Sequence, residues 1–412
     1  MTSTFGWMDY SERTRRRMLD ALSQLDEKET RDELGLAAIR DSFADQLFPG
    51  TSTIMTRARY FFFVPWMYQV LEAKGGNEAT VERRARTQEI ALIDVLESAG
   101  ESEGVIGRQS RGALKRLPSS IYWAGLIELG ILRFRGGQGA YHRCVDELAR
   151  RRRIRHAGDE DGAGLLQSAL TWDPNLPKPP PSFPREASLD LTRREAEYFV
   201  DRVRAAAPHS LLCFLLEERQ ASDRVDFLWQ HPATERAQGE LSALVADAEK
   251  FSLALHGAAL LYNLMLAEGG LELGIGDGEV LERWRRAYEE ALRVWCQTPE
   301  LERLEAWNLD QFWRRAAAST HAITIRTRAF VSRWLAMTPW AGWSTATSSE
   351  VRALVVQRES EVKGARARLG RLQALEVWSG ASGAGRMDFR WGVGQRVLND
   401  VLFGMGVSDV VE

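Results

Sequence analysis

The order of apolar and polar positions predicts a chain built mainly of helices. Residues 11–25, SERTRRRMLDALSQL, place Met18, Leu19, Leu22 and Leu25 at helical spacing behind Ser11, a residue type that caps helix starts. Residues 34–47 repeat that spacing, and Phe48-Pro49-Gly50-Thr51 breaks it. The next run, TRARYFFFVPWMYQVLEA, is densely aromatic, and Pro65 is expected to kink or restart its helix. Later, residues 192–206, 233–268, 278–296, 309–336 and 348–375 read as helices, the second broken once. Alternating β-type runs are few, and no repeat recurs at a fixed period.

One stretch has a different grammar. TQEIALIDVLESA (87–99) is an amphipathic helix with Ile90, Ile93 and Leu96 on one side. GVIGRQSRGALKR (104–116) predicts a second, short helix. Leu117-Pro118-Ser119-Ser120 reads as a turn whose serine caps a third helix over 121–130, closed by Gly130. ILRFR then alternates like a strand, GGQG turns, and AYHRC returns. This order predicts a winged helix-turn-helix with a small β wing, embedded in a mainly α, multi-domain protein. The expected division is an N-terminal helical region (1–86), a winged-helix module (87–156), an acidic then proline-rich linker (157–185) and a C-terminal helical domain (186–412). The linker reading rests on six prolines within residues 173–185, which favour extended chain.

Charge sharpens the reading of that module. The whole chain carries a net charge of only −3. Residues 104–155 hold twelve Lys or Arg against three acids, a local balance of +9. Such a patch in an otherwise acidic chain is the electrostatic footprint expected for phosphate contact. The candidate contacts are Arg108, Arg111, Lys115 and Arg116 before the third helix, Ser119, Ser120 and Tyr122 at its start, and Arg133 and Arg135 in the wing. Protein docking, or a solvated face paired with the acidic remainder, are the alternatives. Arg57 and Arg59, beside FFFVPW, form a second candidate for stacking plus phosphate contact, against an ordinary ion-paired helix face. The fourteen tryptophans fit either core packing or base stacking.

Sequence gives little sign of catalysis, and an enzyme is the less favoured reading. The six histidines are scattered, with no HExxH pair; there is no GxxxxGK[ST] and no GxSxG, and GLELGIGDGE (270–279) lacks the strand of a dinucleotide site. No cofactor and no metal are expected. Asp41 and Asp45, with Asp9, Asp32 and Glu33 nearby in sequence, could hold a divalent cation as nucleases do. His256 and Asn263 share a face of an apolar stretch (251–267), expected to be a buried helix rather than a membrane span, each polar group satisfied separately. Three separated cysteines and a start without a signal-peptide core predict reduced thiols in the cytoplasm.

Longer motifs carry a resemblance. FGWMDYSE, TRDELGL, IRDSFADQLFPGTSTIMTRARYFFFVPWMY and GRQSRGALKRLPSSIYWAGLIELGI resemble an uncharacterised bacterial family known only as a domain of unknown function. HGAALLYNLMLAE and the late WSGASG…DFRW extend the likeness over nearly the full length. The run SIYWAGLIELGILRFRGGQGAYH also resembles the recognition-helix-plus-wing region of bacterial winged-helix regulators. Members of the larger family are similar to proteins found beside helicases and phospholipase-D-like proteins in defence loci. The resemblance implies a component of a multi-protein system rather than a residue-level mechanism. The expected function is a non-enzymatic DNA-binding or adaptor subunit of a bacterial multi-protein system such as anti-phage defence. The alternatives are a scaffold whose winged helix docks a partner helicase or nuclease, and a metal-dependent nuclease.

Overall fold

A computed structural model describes residues 32–157, 171–220, 224–338, 342–376 and 378–407. The expected helix over 11–25, Asp9 and most of the acidic stretch at 157–164 lie outside the described residues. In chain order the main helices are α1 (Ala37–Leu47), α2 (Tyr60–Lys74), α3 (Glu78–Ser98), α4 (Pro118–Glu128), α5 (Gln138–Ala157), α6 (Arg193–Ala206) and α7 (Leu211–Glu218). They continue with α8 (Gly239–Leu273), α9 (Gly278–Cys296), α10 (Leu309–Ala316), α11 (Ile325–Met337), α12 (Ser349–Lys363) and α13 (Trp391–Gly404). The mainly α expectation holds: among the described residues there is no strand, only one isolated antiparallel bridge, Leu132 to Trp172.

The chain folds into two compact units, each assembled from two separate segments. One joins residues up to 42 with 247–387; the other joins 43–246 with 388 onward.

The second unit is organised around α2. Tyr60, Phe61, Phe62, Phe63, Val64, Trp66, Met67 and Tyr68 are all buried, so the aromatic run is core, and Pro65 lies inside a continuous helix. Each such side chain contributes about 1.5–3 kcal/mol by leaving water. Helices α3, α4 and α5 pack on α2, and α13 packs on α6 and α7. The proline-rich run is a packed strap: Pro177 O accepts from Trp66 Nε1 at 2.7 Å, and the Phe183 ring stacks on Phe63 at 5.6 Å. Helix α6 starts as its sequence says it should. Thr192 Oγ1 accepts from Glu195 N–H, and Glu195 Oε2 accepts from Thr192 N–H, a reciprocal capping box.

The first unit packs the 247–273 part of α8 with α9 to α12. Tryptophans on the later helices donate to its backbone: Trp295 Nε1 to Leu253 O at 2.8 Å and Trp334 Nε1 to Ala254 O at 2.9 Å. Gly257 is required there, since a Cβ would lie 2.5 Å from the Trp295 ring. His256 meets Ala384 O at 3.2 Å, while Asn263 bonds Ser382 through both amide atoms, so each is satisfied on its own. Glu359, fully buried, accepts from Arg368 N–H and Leu369 N–H at 2.9 Å and from the Tyr262 hydroxyl at 2.5 Å. Helix α8 is long and apolar enough by composition to cross a membrane, but 83% of its apolar window is buried in the fold. The expected 309–336 helix is two, α10 and α11, and the expected break in 233–268 falls at residues 237–238, between a 3-10 turn, Pro232–Arg236, and α8.

Candidate nucleic-acid interface

The region read as a winged helix keeps its helices and lacks its wing. The expected first helix is the second half of α3, which runs unbroken through the proposed boundary at residue 86. Instead of a helix over 104–116 there is a loop with one 3-10 turn, Arg111–Ala113, because Gly104, Gly107 and Arg111 take positive φ angles. The third helix, α4, starts at Pro118, and Gly130 at φ 66° closes it as expected. The returning strand is a correction. Tyr141, His142, Arg143 and Cys144 lie in α5, whose buried positions Tyr141, Val145 and Ala149 recur every four residues. Of the first expected strand, only Leu132 forms a bridge, to Trp172.

The amino end of α4 is anchored by a carboxylate from α3. Glu89 is wholly buried, and it accepts from Ser119 N–H and from Ser119 Oγ, both at 2.7 Å. Burial pushes its carboxyl up to about 7, against the two Ser119 bonds and the nearby Arg86. Gln138, the first residue of α5, donates to Ser119 Oγ at 2.7 Å and to the Tyr68 hydroxyl at 2.6 Å. Tyr68 in turn meets His142 Nε2 at 3.2 Å. Two further bonds fix the flanking loops. Arg86 donates to Leu114 O at 3.0 Å and Gly112 O at 2.6 Å, and Trp123 Nε1 donates to Gly136 O at 2.9 Å.

The candidate residues divide sharply. Ser119 and Tyr122 are fully buried; the Tyr122 hydroxyl donates to Arg57 O at 2.9 Å and accepts from Thr56 N–H at 3.0 Å. Arg57 pairs with Asp400 at 2.8 Å, and buried Arg59 with Glu195 at 3.3 Å. These four serve the interior, joining it to partners that lie 19 to 343 positions away along the chain. Arg108 pairs with Glu97 at 3.2 Å, Arg111 with Asp94 at 2.5 Å and also with Glu97, and Arg133 reaches Asp173 at 3.9 Å. Ser120 donates to Leu117 O at 2.9 Å, and Arg116 is half-buried. Lys115 and Arg135 remain exposed without an ion-pair partner among the described residues, as does Arg83, one turn before Arg86 on α3. Lys115 and Arg135 stand on the loops before and after α4, pinned by Arg86 of α3 and by Trp123 of α4.

Sequence reasoning missed Glu89, Gln138 and Arg83. The signal for Glu89 was an acid at a core position, four residues from both Ala85 and Ile93, which are buried with it. The N-terminal carboxylates are engaged: Asp41 with Arg40 at 3.0 Å, and Asp45 with Arg390 at 2.5 Å. Among the described residues no group of three His, Cys, Asp or Glu is placed to hold a metal ion. Of the cysteines, Cys213 is buried and Cys144 and Cys296 half-buried, all unpaired as thiols.

No curated protein and no solved structure matches the chain. The family expectation from its long motifs does hold: a family model covers residues 2–403, and the chain belongs to the family of unknown function DUF6361.

Proposed function

We propose that this chain is a non-enzymatic DNA-binding or adaptor subunit of a bacterial multi-protein system, which touches phosphates through exposed cations beside the amino end of α4. The observation that carries the reading is the placement of Lys115 and Arg135 on two anchored loops that flank α4, one held by Arg86 of α3 and the other by Trp123 of α4, with Arg83 one turn from the Arg86 anchor. Cations held on pinned loops lose little conformational entropy on meeting an anion. A helix-turn-helix order without strands is what this reading keeps of the winged helix. The exposed strip of α4 is narrow and consists of Ser120, Ala124 and Glu128. One hydroxyl, one methyl and one acid favour backbone contact over reading of base edges.

The test is binding of a labelled DNA duplex by the full chain at two or more salt concentrations. Each phosphate contact contributes a slope of about −0.9 in log affinity against log salt. The double variant Lys115→Glu, Arg135→Glu should flatten the slope by about 2. Weak binding whose slope is unchanged by that reversal refutes the DNA reading. If the double variant instead loses a co-purifying protein while DNA binding stays flat, the patch docks a protein and the scaffold reading replaces it.

A further inference from the structure

A second cationic cluster is built from α6 and the Leu132–Trp172 bridge, and its Arg133 lies two residues before Arg135. The bridge sets two chain segments side by side: Arg133 N–H donates to Thr171 O at 2.8 Å, and Asp173 N–H donates to Ile131 O at 2.9 Å. Asp173 is thereby buried, and two arginines converge on its Oδ2: Arg202 from α6 in a close ion pair, and Arg133 at 3.9 Å. Its Oδ1 accepts from Asn175 N–H at 2.8 Å. Two guanidiniums against one carboxylate leave a surplus positive charge.

Tyr198 stands one turn before Arg202 on α6 and is 8% exposed. Its hydroxyl is enclosed and has no hydrogen-bond partner among the described residues, and neither has Arg202 Nε. Asp173, Arg202 and Arg133 are the charges that the phenol senses, and burial raises it so that it stays protonated. An enclosed donor without an acceptor destabilises the fold, and native folds rarely tolerate it without a ligand or an ordered water. Arg Nε can only donate. Two lone donors beside surplus positive charge call for a multidentate acceptor that is itself negative.

We propose that Arg133, Tyr198 and Arg202 form a binding site for a phosphate-type oxyanion, held by charge-assisted bonds from the guanidiniums and the phenol. Asp173 aligns the two arginines and does not touch the ligand. The site uses neither the Lys115 nor the Arg135 side chain, and its test does not depend on those two residues binding DNA.

Inorganic phosphate is the probe, titrated calorimetrically into the full chain at constant ionic strength, with chloride as the control anion. Wild type should bind phosphate, and Tyr198→Phe and Arg133→Gln should each weaken it by about tenfold, as expected for loss of one charge-assisted bond. In chloride, Tyr198→Phe should melt at the wild-type temperature or higher, since it deletes an unsatisfied hydroxyl while keeping the ring beside Phe62. Equal phosphate affinity in wild type and Tyr198→Phe overturns the proposal, as does no binding to wild type. A Tyr198→Phe chain that melts lower in chloride also overturns it, because the hydroxyl then serves the fold through an ordered water. A competition arm identifies the source. If duplex DNA displaces phosphate from wild type, the site takes a phosphodiester; if it does not, the site takes a free phosphate group, and either result supports an oxyanion site.

Discussion

Replacing Glu89 by glutamine should make the protein more stable at pH 8 and leave it nearly unchanged at pH 5. The carboxyl titrates at about 7 in the fold and at its ordinary 4.5 in the unfolded chain. Between those values the folded chain holds a proton that the unfolded chain has released. Stability therefore falls as pH rises from 4.5 to 7, and stays low above. Raising the carboxyl that far costs about 3 kcal/mol once it is ionised, because burial opposes charge more than the two Ser119 bonds favour it. Glutamine keeps the shape, its carbonyl can still accept from Ser119 N–H, and it does not titrate. Urea unfolding followed by circular dichroism at pH 5, 6, 7 and 8 gives the difference between the two proteins, in which the other carboxylates cancel. The difference should grow with pH by about 3 kcal/mol in favour of the variant, less any loss from turning an amide N–H₂ toward the Ser119 hydroxyl. Parallel pH profiles, agreeing within about 0.5 kcal/mol throughout, would refute the burial argument.

Three further outcomes follow from the geometry. Gly125→Ala should destabilise by about 3 kcal/mol or more in denaturant titration, since its Cβ would sit 2.1 Å from the backbone oxygen of Gly50, which cannot rotate away. Tyr122→Phe should cost about 1–3 kcal/mol by the same assay, because it strands Thr56 N–H in the interior; it should leave duplex DNA affinity unchanged if Tyr122 is purely internal. Glu359→Ala should cost about 3–5 kcal/mol, as two backbone N–H groups and the Tyr262 hydroxyl lose a buried acceptor, and a melting temperature within a degree of wild type would contradict that.

Much of the helical order was legible from local pattern. The 192–206 helix, the 278–296 helix and the Gly130 stop need only neighbouring residues, and all three appear where the sequence puts them. The wing failed because a five-residue alternation was weighed without its continuation. Reading on to Val145 and Ala149 replaces a period of two by one of four. The exposed charges were hard to read for a different reason. Whether an arginine faces water depends on acids such as Asp400 for Arg57 or Glu195 for Arg59, and sequence distance hides such pairings. Ser119 looked like an exposed cap, yet a carboxylate thirty residues earlier had claimed both its donors.

The composition of each unit from two separated segments bears on how the chain is made. Neither unit can close early in synthesis: one requires residues up to 387, the other the helix Trp391–Gly404, whose Trp391, Val397, Leu398 and Val401 are fully buried. A ribosome adding about 5–20 residues per second exposes the apolar α2 segment for tens of seconds before its last packing partners emerge. Nascent-chain capture by chaperones, and insolubility of fragments that stop short of residue 391, are the practical consequences of this interleaved connectivity.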